Sequence, residues 1–489
     1  MTKPRSFRGA VQACLGLLLA ACASAGRAAE PGFLSVEQRA EDFAAFCRFV
    51  DEDYAYFDLK RTDWTRACTS YAAQVGGATD RDAYIALLEP ALGELYDAHA
   101  HLGTHTQRSP RLVPSQTDLV ATWAGGKAVI EAVRQGSAAE AVGLRPGDEV
   151  IAIEGETVAA VVARIEPKYL LRADPAGRAW ALQAALAGRH EREVIRLSIR
   201  SGGRLQEIEF AAAHSPPAAP LSHQRIGRVG HVRIHDSLGE PALVPAFDHA
   251  LAAMPGVRAL VIDLRDTPSG GTSSVARGIM GRLVGRPLRY QRHELVAEFR
   301  SRGIRRVWDE YVLPRGVPFL RPMVVLVGPW TGSMSEGLAI GLNATRGAPV
   351  LGRPMAHLLG ALGETVLPHS KIAVRVATEK LFHIDGTSRE AFVPCAVRLA
   401  GATPRSADPE LDSAVGLART LGRSKPAPLL GRVACPACIA AHSNDSTPEP
   451  RWRWCVSTVP QEFCSVRGCS RHLFPRRIQR QGMRSFVAC

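Results

Sequence analysis

The spacing of apolar positions divides the chain into blocks with different periods. Ser35-Val36-Glu37-Gln38 has the form of a capping box, and Phe43, Phe46, Cys47, Val50 and Tyr54 follow it at helical spacing. The stretch Asp63 to Val75 reads as a second helix. A third, from Asp82 on, puts Tyr84, Leu87, Leu88, Ala91, Leu92 and Leu95 on one face. That helix exits through Tyr96-Asp97-Ala98-His99-Ala100-His101-Leu102-Gly103, so residues 33–105 are expected to form a small helical module with a histidine-bearing exit. Ala128 to Val133 then reads as a strand. Gly136 to Ile153 reads as a short helix closed by Gly143, a Pro146-Gly147 turn and another strand.

Beyond Ala211–Ser222, a linker by its Pro and Ala content, strands and helices alternate. Val229–Ile234, Leu260–Leu264 and Met323–Val327 read as strands, with helices near Pro241–Ala253 and over Ser273–Val284. Such alternation argues a largely parallel sheet. The expected fold is a multidomain α/β chain: the helical module, a β-rich domain over 113–212 and an α/β domain over 223–415.

The segment Arg321–Gly347 carries the sharpest candidate chemistry. The Met323–Val327 strand stops at Gly328-Pro329, and a helix is expected over Ser335–Leu342, so Thr331-Gly332-Ser333-Met334-Ser335 sits between strand and helix N-terminus. A hydroxyl there stands on a rigid base, with backbone N–H groups and the helix dipole ready to receive an oxyanion. Read alone, Ser333 or Ser335 is more simply an N-cap, with Glu336 as an early-turn acid.

Composition changes the picture mainly at the two ends. The 489 residues are 46% hydrophobic and 22% charged, an ordinary globular balance with room for several domains. The N-terminus has the make-up of an export signal over 1–29: Lys3, Arg5 and Arg8 precede a small apolar run, Ala10 to Ala21. Leu19-Ala20-Ala21-Cys22 also fits a lipobox, which would place a lipid on Cys22; plain secretion and lipid anchoring both stay open. The net charge of +13 owes much to residues 423–489, which hold 11 Lys/Arg against 3 Asp/Glu and six of the 11 cysteines. Their hydrophobic residues follow neither period, so a disordered extension is expected there, and the basic balance does not demand nucleic acid. Cys435 and Cys438 have zinc-knuckle spacing without a second pair to match. Cys47 and Cys68, on neighbouring helices, are the expected disulfide if the chain is exported.

Two resemblances organise these parts. Gly136 to Ile153 resembles the "GSPAxxAGLxxGDxIxxIxG" run of bacterial PDZ modules, which implies a PDZ-like domain over 113–212 with an atypical helical insertion at 169–187. With it, Asp263-Leu264-Arg265 leading to Gly270-Gly271, and Ser333-Met334-Ser335-Glu336 after a strand, the chain resembles the C-terminal processing (tail-specific) serine peptidases in its tricorn-like branch. The resemblance implies that Ser333 of "SxSE" is the nucleophile, and that the N–H of Met334 and of Gly270 or Gly271 form the oxyanion hole. The loop departs from the usual "DLRxNxGG" by one extra residue and a missing Asn. It also implies polypeptide substrates and C-terminal tails as the ligands of the PDZ-like domain. No cofactor or metal is implied.

The base is where the chain leaves the common pattern. Ser-Lys members carry a lysine about 25 residues after the serine, but Gly352 to Gly360 holds His357 and no lysine; Lys371 and Lys380 lie further along. A serine hydroxyl still needs a base. The tricorn-like branch implies His99 for that role and Glu390 as the carboxylate orienting it, in the order His99…Ser333…Glu390. His101 and His357 remain alternative bases. Zinc on His99, His101 and His105 is the rival chemistry, unsupported by any HExxH pattern. The expected protein is an exported serine peptidase of the periplasm or cell envelope. A catalytically inactive periplasmic peptide-binding protein and an esterase using Ser335 are the other readings.

Overall fold

A computed structural model describes residues 33–212, 217–395 and 408–423. The signal segment with Cys22, part of the linker and the basic tail from 424 on lie outside the described residues.

The helical module forms as its pattern predicts. Ser35 caps the helix Val36–Asp53 in a complete capping box, Asp63 caps Trp64–Ala72, and Asp80 caps Arg81–Gly93. A Cys47–Cys68 disulfide ties the first two helices, with Cα atoms 6.1 Å apart. The apolar faces close on Phe46, Tyr54, Tyr56, Tyr84, Leu88 and Leu95, all fully buried. The same core includes Leu359, Ile372, Val374, Val376 and Ala377, so the module shares its interior with a C-terminal segment.

Residues 119–211 build a six-stranded antiparallel sheet in which Leu119–Ala124 lies at one edge. The helix Pro175–Ala187, within the expected insertion, rests on that edge strand. Its Gln183 amide donates to the Ala121 carbonyl, and Arg178 stands 4.3 Å over the Trp123 ring.

The strands of the α/β domain run in the order Val350–Gly352, Met323–Val327, Ala259–Asp263, Val229–Ile234 and Leu221–Ile226, parallel except for the last. The central Met323–Val327 and Ala259–Asp263 strands are wholly buried, which explains why they read as unbroken apolar runs. A buried ion pair, Arg134 to Asp266 at 2.7 Å, joins the six-stranded sheet to the loop after Ala259–Asp263.

A second, antiparallel five-stranded sheet has no counterpart in the sequence reading. In it the long strand Ala373–Phe382 pairs with Leu288–Leu295, Ala361–Val366 and the two-residue strand His101–Leu102. Leu102 faces Val374, and Gly103 N donates to Ala373 O at 2.8 Å. The approach requires glycine, because a Cβ on Gly103 would lie 2.7 Å from that of Ala373. This pairing carries the exit of the helical module onto the α/β domain.

Candidate active site

Ser333 stands at the N-terminus of the helix Met334–Arg346 with φ 52° and ψ −117°, and its side chain caps nothing. The N-cap reading therefore fails for Ser333. A non-glycine residue held at positive φ costs of order 1–3 kcal/mol and persists only where its surroundings over-determine it. Ser335 is fully buried, and its hydroxyl donates to the Thr267 carbonyl at 3.0 Å, so it serves the packing of the elbow. That bond points the Ser335 hydroxyl at the loop backbone, which argues against the esterase reading.

Two strand-end loops are laced together beneath Ser333. Thr267 N donates to Trp330 O and Gly332 N to Thr267 O, and the Thr331 hydroxyl reaches Leu264 O. The lacing brings Gly270 against the serine. A Cβ on Gly270 would lie 2.5 Å from Ser333 Cβ and 2.8 Å from Met334 N, and the residue has φ 67°. Its N–H turns to Thr267 O in a long 3.3 Å bond. Gly271 faces elsewhere, against the Leu238 backbone. Met334 N–H, first in its helix, has no acceptor within it, as the opening N–H groups of helices do not.

His99 is buried, and its Nδ1 lies 2.7 Å from Leu359 O. Asp97 supports it by accepting from His99 N at 2.9 Å, while its other oxygen accepts from the Tyr54 hydroxyl at 2.9 Å. Burial pushes the imidazole down to about 4 against the opposing pull of the Leu359 bond and of Asp97; Arg389 and His101 add to the depression. The neighbouring Leu358 packs against Gly332, with its Cδ1 3.2 Å from where a Cβ would stand. Consecutive residues of one segment thus touch the serine loop and orient the histidine.

The expected triad contacts differ from those found. Among the described residues no hydrogen bond joins His99 to Ser333 or to Glu390. Nδ1 of His99 is taken by the backbone carbonyl of Leu359, not by Glu390. The Glu390 carbonyl accepts from His357 Nδ1 at 2.7 Å, while its carboxylate keeps one oxygen, Oε2, buried without a hydrogen-bond partner. Burial raises that carboxyl, and the charge in turn helps lift the Tyr56 phenol.

The alternative bases have partners of their own, and for His101 and His357 these too are backbone carbonyls at Nδ1. His101 Nδ1 meets His99 O at 2.9 Å, Lys371 donates to Pro368 O, and Lys380 pairs with Asp58 at 2.6 Å. His105 stacks on His190 at 4.1 Å, so the three exit histidines do not converge on one point. No group of three metal-ligating side chains occurs among the described residues. A cavity of about 750 Å³ opens beside the exit segment, lined by His101, His105, Glu89 and Arg189; Ser333 is not on its wall.

Two residues that the sequence reading had in view only as neighbours prove central. Glu336, 1% exposed, lies under the elbow, and Arg389, 2% exposed, stands 3.4 Å from it. Burial pushes the Glu336 carboxyl up to about 7. The "SxSE" run contains Glu336, and Arg389 directly precedes Glu390, but nothing in the sequence indicated that the two meet.

The parallel sheet places the strained Ser333 and Gly270 together at its strand ends. Residues 228–393 match the model of peptidase family S41, and residues 35–93 match that of the Tricorn protease C1 domain, in line with the resemblance to the C-terminal processing peptidases. Among solved structures it is similar to mature CPAF, at TM-score 0.52 and 16% identity over 79% of this chain and 96% of that one. It is also similar to mature CPAF complexed with lactacystin, at TM-score 0.51 and 15% identity over 79% and 98%. At such identities the likeness is one of fold. No curated protein sequence matches.

Proposed function

We propose that the protein is an exported serine peptidase that cleaves polypeptides through an acyl-enzyme formed on Ser333. The observation that carries the reading is the conformation of Ser333: a positive-φ hydroxyl at a helix N-terminus, with no capping role and Gly270 against it. Strain of that kind, held by two laced loops, is a common mark of a nucleophile.

His99 is the base. A carbonyl oxygen only accepts, so Leu359 O holds the proton on Nδ1 and leaves Nε2 with the lone pair that takes the Ser333 proton. The depressed pKa keeps the ring neutral at physiological pH, and the same nitrogen returns the proton to the leaving amine. Met334 N–H receives the oxyanion, joined by the N–H of Gly270 when it leaves its long bond to Thr267 O. In place of the expected Ser-His-Glu contacts, Leu359 O orients the imidazole, and Glu390 bonds to neither ring nitrogen.

The Cys47–Cys68 disulfide and the signal-like N-terminus support work in the periplasm or envelope, with Cys22 as the lipid site if there is one. Substrate tails bind the PDZ-like domain by strand addition only if the helix Pro175–Ala187 leaves the edge it covers. The decisive experiment is fluorophosphonate labelling, together with hydrolysis of an unstructured polypeptide, by the full chain and by Ser333→Ala. Loss of both in the variant supports the proposal. Labelling that persists removes Ser333, and a wild type inert in both assays favours the peptide-binding reading.

A further inference from the structure

Arg389 has no place in the chemistry described so far, yet it is the most heavily engaged cation near the serine. Its Nη1 donates to Ser333 O at 3.2 Å. Its Nη2 donates to Leu358 O at 2.6 Å and to Gly360 O at 2.8 Å. We propose that Arg389 is a positioning residue for the peptidase reaction, one buried guanidinium that ties the backbone of the nucleophile to the segment whose middle carbonyl orients the base. The inference rests on the assignment of Ser333 and His99 made above.

The geometry gives the guanidinium work on both sides. Ser333 is strained, and its carbonyl already accepts from Glu336 N at 3.0 Å and Gly337 N at 3.2 Å inside the helix; Arg389 adds a donor from outside. Leu358 and Gly360 flank Leu359, so holding both of their carbonyls sets the plane of the peptide that meets His99. A planar fork with donors in fixed directions can reach three carbonyls on two segments, whereas a lysine ammonium on a flexible stem would reach fewer. Glu336 stands 3.4 Å from the guanidinium and, when ionised, offers a counter-charge to so deeply buried a cation.

A role in orienting His99 has a signature that packing alone would lack. The charged groups acting on the imidazole are Asp97, which raises its pKa, and Arg389 and His101, which lower it. Arg389→Gln removes one of the lowering charges, and Arg389→Lys keeps the charge while losing the fork.

The test is the pH dependence of fluorophosphonate labelling rate for the full chain, Arg389→Lys and Arg389→Gln, with thermal melts alongside and Ser333→Ala as the blank. Both variants are expected to fold and to label about 10²-fold more slowly at the plateau, the cost of a misplacement near 1 Å. The acid midpoint should stay at the wild-type value in Arg389→Lys and rise in Arg389→Gln. A folded variant of either kind that labels at the wild-type rate overturns the proposal. So does an Arg389→Gln midpoint that does not move, or failure of both variants to fold, which would make Arg389 a packing ion only. Labelling retained in Ser333→Ala would instead remove the nucleophile assignment, a separate result.

Discussion

His99 Nδ1 lies 2.7 Å from the carbonyl oxygen of Leu359, a residue 260 positions further along the chain. The bond selects one tautomer of the ring, since the acceptor has no proton to give. In the familiar serine triad a carboxylate holds the imidazole in this way; in the site proposed for this protein that place falls to an uncharged carbonyl in a buried setting.

That substitution separates the two partners expected of Ser333. His99→Ala should lower the rate of fluorophosphonate labelling about 10²- to 10⁴-fold, the usual contribution of a general base. Glu390→Gln should stay within about tenfold of wild type, because its carboxylate bonds to neither ring nitrogen. Equal losses in the two variants would restore Glu390 as the orienting residue.

The acid limb of activity should sit low. Only neutral His99 accepts a proton, so labelling should hold level from about pH 8 to 5.5 and fall through about pH 4, not 6.5. The effect on stability follows from the same depression. Between about pH 6.5 and 4 the unfolded chain binds a proton at His99 that the folded chain does not, so this residue makes stability fall as pH falls, by up to about 3 kcal/mol. Glu336 acts in the opposite sense: its carboxyl is raised to about 7, so its contribution is lost as pH rises from the ordinary value toward 7. Denaturant melts of wild type minus His99→Gln across pH 4 to 7 isolate the histidine slope, and a flat difference would contradict it.

Gly270→Ala tests the loop that faces the nucleophile. The new methyl would stand 2.5 Å from Ser333 Cβ at a backbone φ of 67°, so the serine or the loop must move. Labelling should drop about 10²-fold or more with folding retained. Full activity in this variant would mean that Gly270 does not stand beside the reacting hydroxyl.

Ser333 and Ser335 should part cleanly. Ser335→Ala removes a buried hydroxyl bonded to Thr267 O, at a cost of about 1 kcal/mol in stability, and should leave labelling in place. Ser333→Ala should abolish labelling and leave stability level or improved, since alanine brings no hydroxyl to that site. A Ser335→Ala enzyme that no longer labels, yet melts normally, would reverse the two roles.

Short-range pattern alone was enough for much of the molecule. The period of Phe43, Phe46 and Val50 with a capping box specified the first helix, and the unbroken apolar run Met323–Val327 specified a buried strand with the same limits found in the fold. The Cys47–Cys68 pairing and the place of Ser333 between strand and helix were equally legible. Apart from the disulfide, whose cysteines lie 21 residues apart, these features depend on residues a few positions apart, where side-chain direction follows directly from helix or strand geometry. The tertiary structure decided the rest of the site: which glycine touches Ser333, which atom orients His99, and that Arg389 reaches both. Each of those contacts joins backbone atoms or buried charges from segments about 30 to 260 residues apart. The strand His101–Leu102, which delivers the histidine, is only two residues long and pairs with a strand some 270 residues away. A strand so short has no period to read, and a backbone carbonyl is the same in every residue, so neither could be seen until the chain had closed around them.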